Sequence, residues 1–192
     1  MSRDHPFALH RSIPAAIVVA LALVVLFALA GPTWWQRMYH PLRYEAEIVR
    51  ASQETGVDPY LVAALINAES GFDESQVSEA GAVGLMQLMP STAVEVAARS
   101  GVTREVDMRT LKDPDLNITL GTRHLADLLA TYDDTETALA AYNAGAGNVE
   151  RWMSEQGGTT LAAAGFAETR AYVDRVLSER SRYRELYPGA FE

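Results

Sequence analysis

The chain has 192 residues, no cysteine and a formal net charge of −9, from 25 acidic and 16 basic side chains. This length fits one domain of ordinary core size with a short appendage, and the lack of cysteine excludes disulfides and thiolate-bound zinc. The acidic balance argues against a nucleic-acid partner, because phosphate contacts need a basic patch. Residues 1–12 are polar and read as a short cytoplasmic N-terminus. Residues 13–32 then read as a single transmembrane anchor: an unbroken apolar run closed by Gly31 and Pro32, with Trp34 and Trp35 at the place of interfacial aromatics. The alternative is a cleaved signal peptide, since Ala28-Leu29-Ala30 resembles a small-residue cleavage site; the length of the run favours the uncleaved anchor. The flanking basic residues are too balanced to orient the span. Residues 33–43 form a juxtamembrane connector, and residues 44–192 a globular domain.

Within that domain, residues 44–55 have helical character and Gly56 stops them. Asp58 as N-cap, Pro59 at the first helical position and Gly71 at the stop define the next helix. Residues 72–90 are irregular, and Ser91 or Thr92 opens another helix, with Thr92 and Glu95 as a capping box and Gly101 at its end. Residues 102–113 read as loop. Residues 117–132 are amphipathic, with Ile118, Leu125, Leu128, Leu129 and Tyr132 on one face. Gly121 lies on the same face and predicts close helix–helix approach. A short Ala-rich helix covers 135–143, broken at Gly145-Ala146-Gly147; 148–153 form a further turn and 154–165 a surface loop. The last helix spans 166–187, with Tyr172, Val173, Val176, Leu177 and Tyr183 apolar at helical spacing, and Pro188 and Gly189 end it. No strand pattern recurs, so the fold class is all-α.

One carboxyl stands out. Glu69 follows Asp58 with no other charge between them, and positions three, four, seven and eight before it are Ile66, Leu65, Val62 and Leu61. These spacings put Glu69 on the apolar face of its helix, where a carboxyl is neutral, paired, or a functional acid with a raised pKa. A side chain in the last turn can also swing out to solvent. The loop that follows, Gly81-Ala82-Val83-Gly84-Leu85-Met86-Gln87-Leu88-Met89-Pro90, is apolar and Gly-punctuated around the single amide of Gln87. Such a loop allows close approach of backbone to a ligand.

Four ordered blocks carry a resemblance. They are Glu69-Ser70-Gly71-Phe72-Asp73, the segment 77–90, Ala141-Tyr142-Asn143-Ala144-Gly145, and Glu168-Thr169-Arg170-Ala171-Tyr172-Val173. Together they resemble the catalytic core of the soluble lytic transglycosylase family, over residues 44–187. The resemblance implies a lysozyme-like, goose-type helical domain that cleaves the β-1,4 bond between N-acetylmuramic acid and N-acetylglucosamine without water, leaving anhydro-muramoyl ends. It implies that Glu69 is acid and then base. It also implies that Ser78, Gln87, Met89, Tyr142, Asn143, Glu168 and Tyr172 bind substrate, with the Tyr142 hydroxyl orienting Glu69. Ala80 and Val83 depart from the family pattern.

Most glycosidases use two carboxylates. Asp73, Glu74 and Glu79 are near Glu69 in sequence but sit in a polar loop and read as solvated charges. Two alternatives stay open: a lysozyme-like hydrolase, and a peptidoglycan-binding scaffold without catalysis, against which the intact Glu69 block speaks. No metal or cofactor is expected. His5, His10, His40 and His124 lack ligand spacing and read as surface or membrane-proximal. The inferred substrate places the domain outside the cytoplasm, with peptidoglycan strands and the membrane as partners.

Overall fold

The computed structural model describes residues 12–156 and 167–192, and divides the chain into two compact units, one ending at His40 and one running from Pro41 to Glu192. The first unit holds helices α1 (Ser12–Ala30) and α2 (Thr33–Tyr39). Trp35 meets Phe27 and Tyr39, each at 5.5 Å between ring centroids, and the Gln36 amide donates to the Gly31 carbonyl at 2.7 Å. Among the described residues no helix is long and apolar enough to cross a membrane. The span expected over 13–32 reaches beyond the described side chains at both ends: those of 13–16 and 28–30 lie outside them.

The second unit is all-helical among its described residues, apart from two isolated bridges, Val77 to Val83 and Val83 to Leu88. Its helices are α3 (Glu45–Thr55), α4 (Pro59–Ser70), α5 (Pro90–Ser100), α6 (Pro114–Thr131), α7 (Thr135–Ala144), α8 (Ala146–Gln156) and α9 (Ala167–Leu186). The central element is α4. Its residues Leu61, Val62, Ala63, Ala64, Leu65 and Ile66 are all buried, and it runs along α9. Fully burying a Leu, Val or Ile side chain contributes about 1.5–3 kcal/mol, so this helix anchors the unit. The start of α4 is fixed from two directions. The Asp58 carboxylate accepts from the Tyr60 N–H at 3.2 Å, and on its other oxygen from Arg180 (2.5 Å) and Arg184 (2.9 Å) of α9. Around this pair, α3 packs on α6, and α6 on α5 and α7.

Several local expectations change. Helix α5 begins at Pro90 behind Met89, which makes no side-chain cap, so the Thr92–Glu95 capping box does not form. Proline at the first position already suits a helix start, since its missing N–H would have gone unpaired there. The loop over 102–113 contains a 3-10 turn at Thr110–Lys112, closed by the Asp107 carboxylate accepting from the Arg109 and Thr110 N–H groups. Helix α8 starts at Ala146, directly after Gly145, and continues to Gln156, so Ser154 is helical; residues 157–165 of the expected loop, and Phe166, lie outside the described residues. Gly121 does mark a close approach, but to a loop. A Cβ there would strike the side chain of Met86, not another helix.

Candidate active site

Glu69 lies in the last turn of α4, half-buried, one residue before the buried Ser70. The Tyr172 hydroxyl, from buried Tyr172 on α9, donates to Glu69 Oε1 at 2.5 Å. Burial pushes the Glu69 carboxyl above its ordinary range; the Tyr172 bond and the charge of Arg175 act in the opposite direction. This acid is therefore held in place and tends to keep its proton, as a proton donor must.

The loop after α4 is built on backbone bonds and on three side chains reaching in from helices. Val83 and Leu88 exchange N–H to carbonyl bonds at 2.9 and 3.1 Å. Asn117 of α6, fully buried, accepts from the Met86 N–H at 2.8 Å and donates to the Val83 and Leu111 carbonyls at 2.9 and 2.8 Å. Gly84 leaves room for that amide, at φ +81°; a Cβ there would collide with Asn117 and the Leu111 carbonyl. Ser70 donates to the Leu85 carbonyl at 2.8 Å, and Tyr142 of α7 to the Met86 carbonyl at 2.8 Å. The Met86 side chain then fills the space over Gly121, where its sulfur accepts from the Thr122 hydroxyl at 3.8 Å.

The expected site residues fall into two groups. Glu69, Tyr172 and Tyr142 come together: burial, and after it the nearby carboxyl of Glu69, pushes both tyrosine hydroxyls well above their ordinary range. The hydroxyl on Glu69 belongs to Tyr172, whereas that of Tyr142 goes to Met86. Gln87 is half-buried in a left-handed conformation (φ +46°), and its amide nitrogen donates to the Gly84 and Gln76 carbonyls. Ser78 caps its own turn, with Oγ accepting from the Ala82 N–H at 2.9 Å. Met89 and Asn143 are exposed. Glu168, one turn before Tyr172, is also exposed and makes no bond to Glu69.

The remaining carboxylates face away from any paired role. Asp73 accepts from the N–H and hydroxyl of Ser75, and these bonds hold its pKa down. Glu74 accepts from the Tyr44 hydroxyl, and Glu79 is exposed. Among the described residues no group of three His, Asp or Glu side chains could hold a metal ion. His124 departs from the surface role expected of it. It is half-buried, its ring 5.2 Å from that of Tyr142, and burial lowers its pKa.

Sequence reasoning missed Ser70, Asn117 and Arg175. Asn117 carried a signal, since it lies four residues before Gly121 on the apolar face of α6, and a polar side chain there needs partners.

The model of the transglycosylase SLT domain family matches residues 47–163, more than half of the chain. The chain belongs to that family. It is 31% identical over 169 residues to the soluble lytic murein transglycosylase of Escherichia coli strain K12, covering 84% of this chain and 26% of that relative. The endo-type membrane-bound lytic murein transglycosylase A of Klebsiella pneumoniae (strain 342) is 40% identical over 114 residues, covering 55% of this chain and 56% of the relative. Among solved structures, the crystal structure of the 70 kDa soluble lytic transglycosylase of Escherichia coli superposes with a TM-score of 0.73 at 30% identity, over 84% of this chain and 27% of that one. The chain thus spans about a quarter of the length of the first curated relatives it matches. Its helical second unit has the fold of these lytic transglycosylases.

Proposed function

We propose that this SLT-family protein is a peptidoglycan lytic transglycosylase that works with a single carboxyl group. The observation that carries the reading is Glu69: half-buried, pushed toward its protonated form, held by Tyr172, and with no carboxylate bonded to it among the described residues. Glu69 gives its proton to the oxygen of the glycosidic bond as the bond to the muramoyl anomeric carbon breaks. The departing N-acetylglucosamine keeps that proton as a hydroxyl. The muramoyl C6 hydroxyl then attacks its own anomeric carbon, and Glu69 takes the proton it releases. Atoms balance without water, and the carboxyl ends as it began. The acetamido group shares the developing positive charge, as in substrate-assisted glycosidases. In this reading the exposed Met89, Asn143 and Glu168 and the half-buried Gln87 and Ser78 contact the sugar chain, and Tyr142 secures the loop through Met86. The full chain, incubated with purified sacculi, is expected to release fragments with anhydro-muramoyl ends by mass spectrometry. Products with reducing muramic ends alone would replace this reading with hydrolysis.

The same reading places the catalytic unit on the outer side of the cytoplasmic membrane, held there by residues 13–32. The apolar composition of this stretch, its helical conformation over Ser12–Ala30 and the Trp34–Trp35 pair support that assignment. The native protein is expected in the membrane fraction with its N-terminal segment attached. A mature N-terminus at Gly31 would show a cleaved signal peptide instead.

A further inference from the structure

Most arginines that make ion pairs in the second unit meet a carboxylate from another element. Arg50 faces Asp115, Arg99 faces Asp127, Arg123 faces Glu54, and Arg180 with Arg184 holds Asp58. Arg175 differs. It is exposed on α9 and has no ion-pair partner among the described residues. Its guanidinium instead lies 5.5 Å from the centroid of the Tyr172 ring, three residues back along the helix. An arginine resting on a surface ring is ordinary in itself. This ring is the one whose hydroxyl holds Glu69, so the unpaired positive charge stands one side chain away from the proposed acid. Its influence already reaches the site, where it favours the ionised forms of both Glu69 and Tyr172. In a chain of net charge −9, an exposed guanidinium beside the proposed acid and without a carboxylate of its own is available to one brought by a ligand.

From this geometry we infer that Arg175 is an anion-binding position one side chain from the proposed acid and takes a carboxylate of the glycan substrate. The inference rests on the proposed function, which supplies a substrate with suitable groups. The lactyl arm of the muramoyl sugar ends in a carboxylate on peptide-free strands. On peptide-bearing strands that arm is an amide, and the stem peptide brings carboxylates of its own. Both sources offer the planar two-oxygen group that a guanidinium fork binds in bidentate fashion, and that a lysine ammonium matches less well. Arg175 then selects among strands by the anion they carry, a role separate from bond cleavage.

The test measures binding to the full chain carrying Glu69→Gln, by calorimetry, with three tetrasaccharides. One is a peptide-free strand of alternating N-acetylglucosamine and N-acetylmuramic acid, the second is the same strand with its stem peptides, and the third is chitotetraose, which has no carboxylate. A carboxylate-bearing strand is expected to bind about tenfold more tightly than chitotetraose, the scale of one charge-assisted contact. Adding Arg175→Met should abolish that gap, and Arg175→Lys should keep part of it. A gap for the peptide-free strand assigns the lactyl carboxylate; a gap confined to the peptide-bearing strand assigns the stem. A gap that survives Arg175→Met, or no gap before it, overturns the inference. So does failure of all three sugars to bind. None of these results touches the product assay on sacculi, whose own failure would overturn the functional reading separately.

Discussion

Glu69→Gln is expected to leave the fold intact, to remove about 10²–10⁴-fold of the lytic activity, the usual contribution of a general acid and base, and to make the protein more stable at neutral pH. The activity loss follows from the missing proton. The stability gain follows from burial, which raises the folded-state pKa of Glu69 above its value in the unfolded chain. For such a carboxyl the two states bind protons equally at low pH, and the wild-type penalty is absent there. It appears as pH climbs past the unfolded value of about 4.3 and stops growing above the folded value, because only the unfolded chain ionises freely in between. The amide keeps the shape and can still accept from Tyr172, but never ionises. Denaturant unfolding should therefore show similar stabilities near pH 4 and a more stable variant near pH 7. Equal differences at the two pH values would mean that Glu69 is not desolvated in the free protein, and that its proton is held only once substrate covers it.

Asn117→Leu is expected to cause a comparably large effect, in the opposite direction. The side chain is fully buried and serves the Met86 N–H and the Val83 and Leu111 carbonyls; without it the Val83 carbonyl keeps the Leu88 N–H, while the Met86 N–H and the Leu111 carbonyl lose the bonds that Leu cannot replace. Each buried backbone group left unpaired costs about 1–3 kcal/mol. Allowing for some relaxation, the loss is about 2–4 kcal/mol, which for a unit of this size lowers Tm by roughly 5–15 °C. Activity should fall further than stability explains when measured well below Tm, because the segment that loses its support is the one Tyr142 and Ser70 hold next to Glu69. A Tm within about 2 °C of wild type would mean that water takes over all three bonds. The loop would then owe its shape to its own backbone.

These two residues also show what could be read in advance. Glu69 was visible because a single charge on an apolar helix face breaks a local pattern, and counting along one helix is enough to see it. Asn117 breaks the same pattern in α6, four residues before Gly121, and the same count would have found it. The partner of each polar group was a different matter. Nothing local says that the hydroxyl on Glu69 comes from Tyr172, 103 residues away, while Tyr142 turns to a loop carbonyl. That choice is made by the packing of α4 on α9, a long-range contact. Gly121 illustrates the same limit. Its missing side chain announced a close neighbour, but the neighbour is a thioether from a loop and not the backbone of another helix. Helix ends defined by Asp58, Gly56, Gly71 and Gly101 were legible because each cap is a local event, completed within a few residues. Arg175 left no mark at all, since an arginine on an exposed helix position fits every pattern and only its place over the Tyr172 ring distinguishes it.

The fastening of the Leu85–Met86 segment has a consequence for the life of the protein. Its three anchors, Ser70, Asn117 and Tyr142, sit on α4, α6 and α7, separated from the carbonyls and N–H they bind by 15, 31 and 56 residues. No short stretch of chain can therefore present the finished site. Until the C-terminal half has been synthesised and has docked, Glu69 is an ordinary solvated carboxylate, without Tyr172 beside it and without a floor for a sugar. A chain truncated before α9 is therefore expected to show no lytic activity on sacculi, although it still carries Glu69.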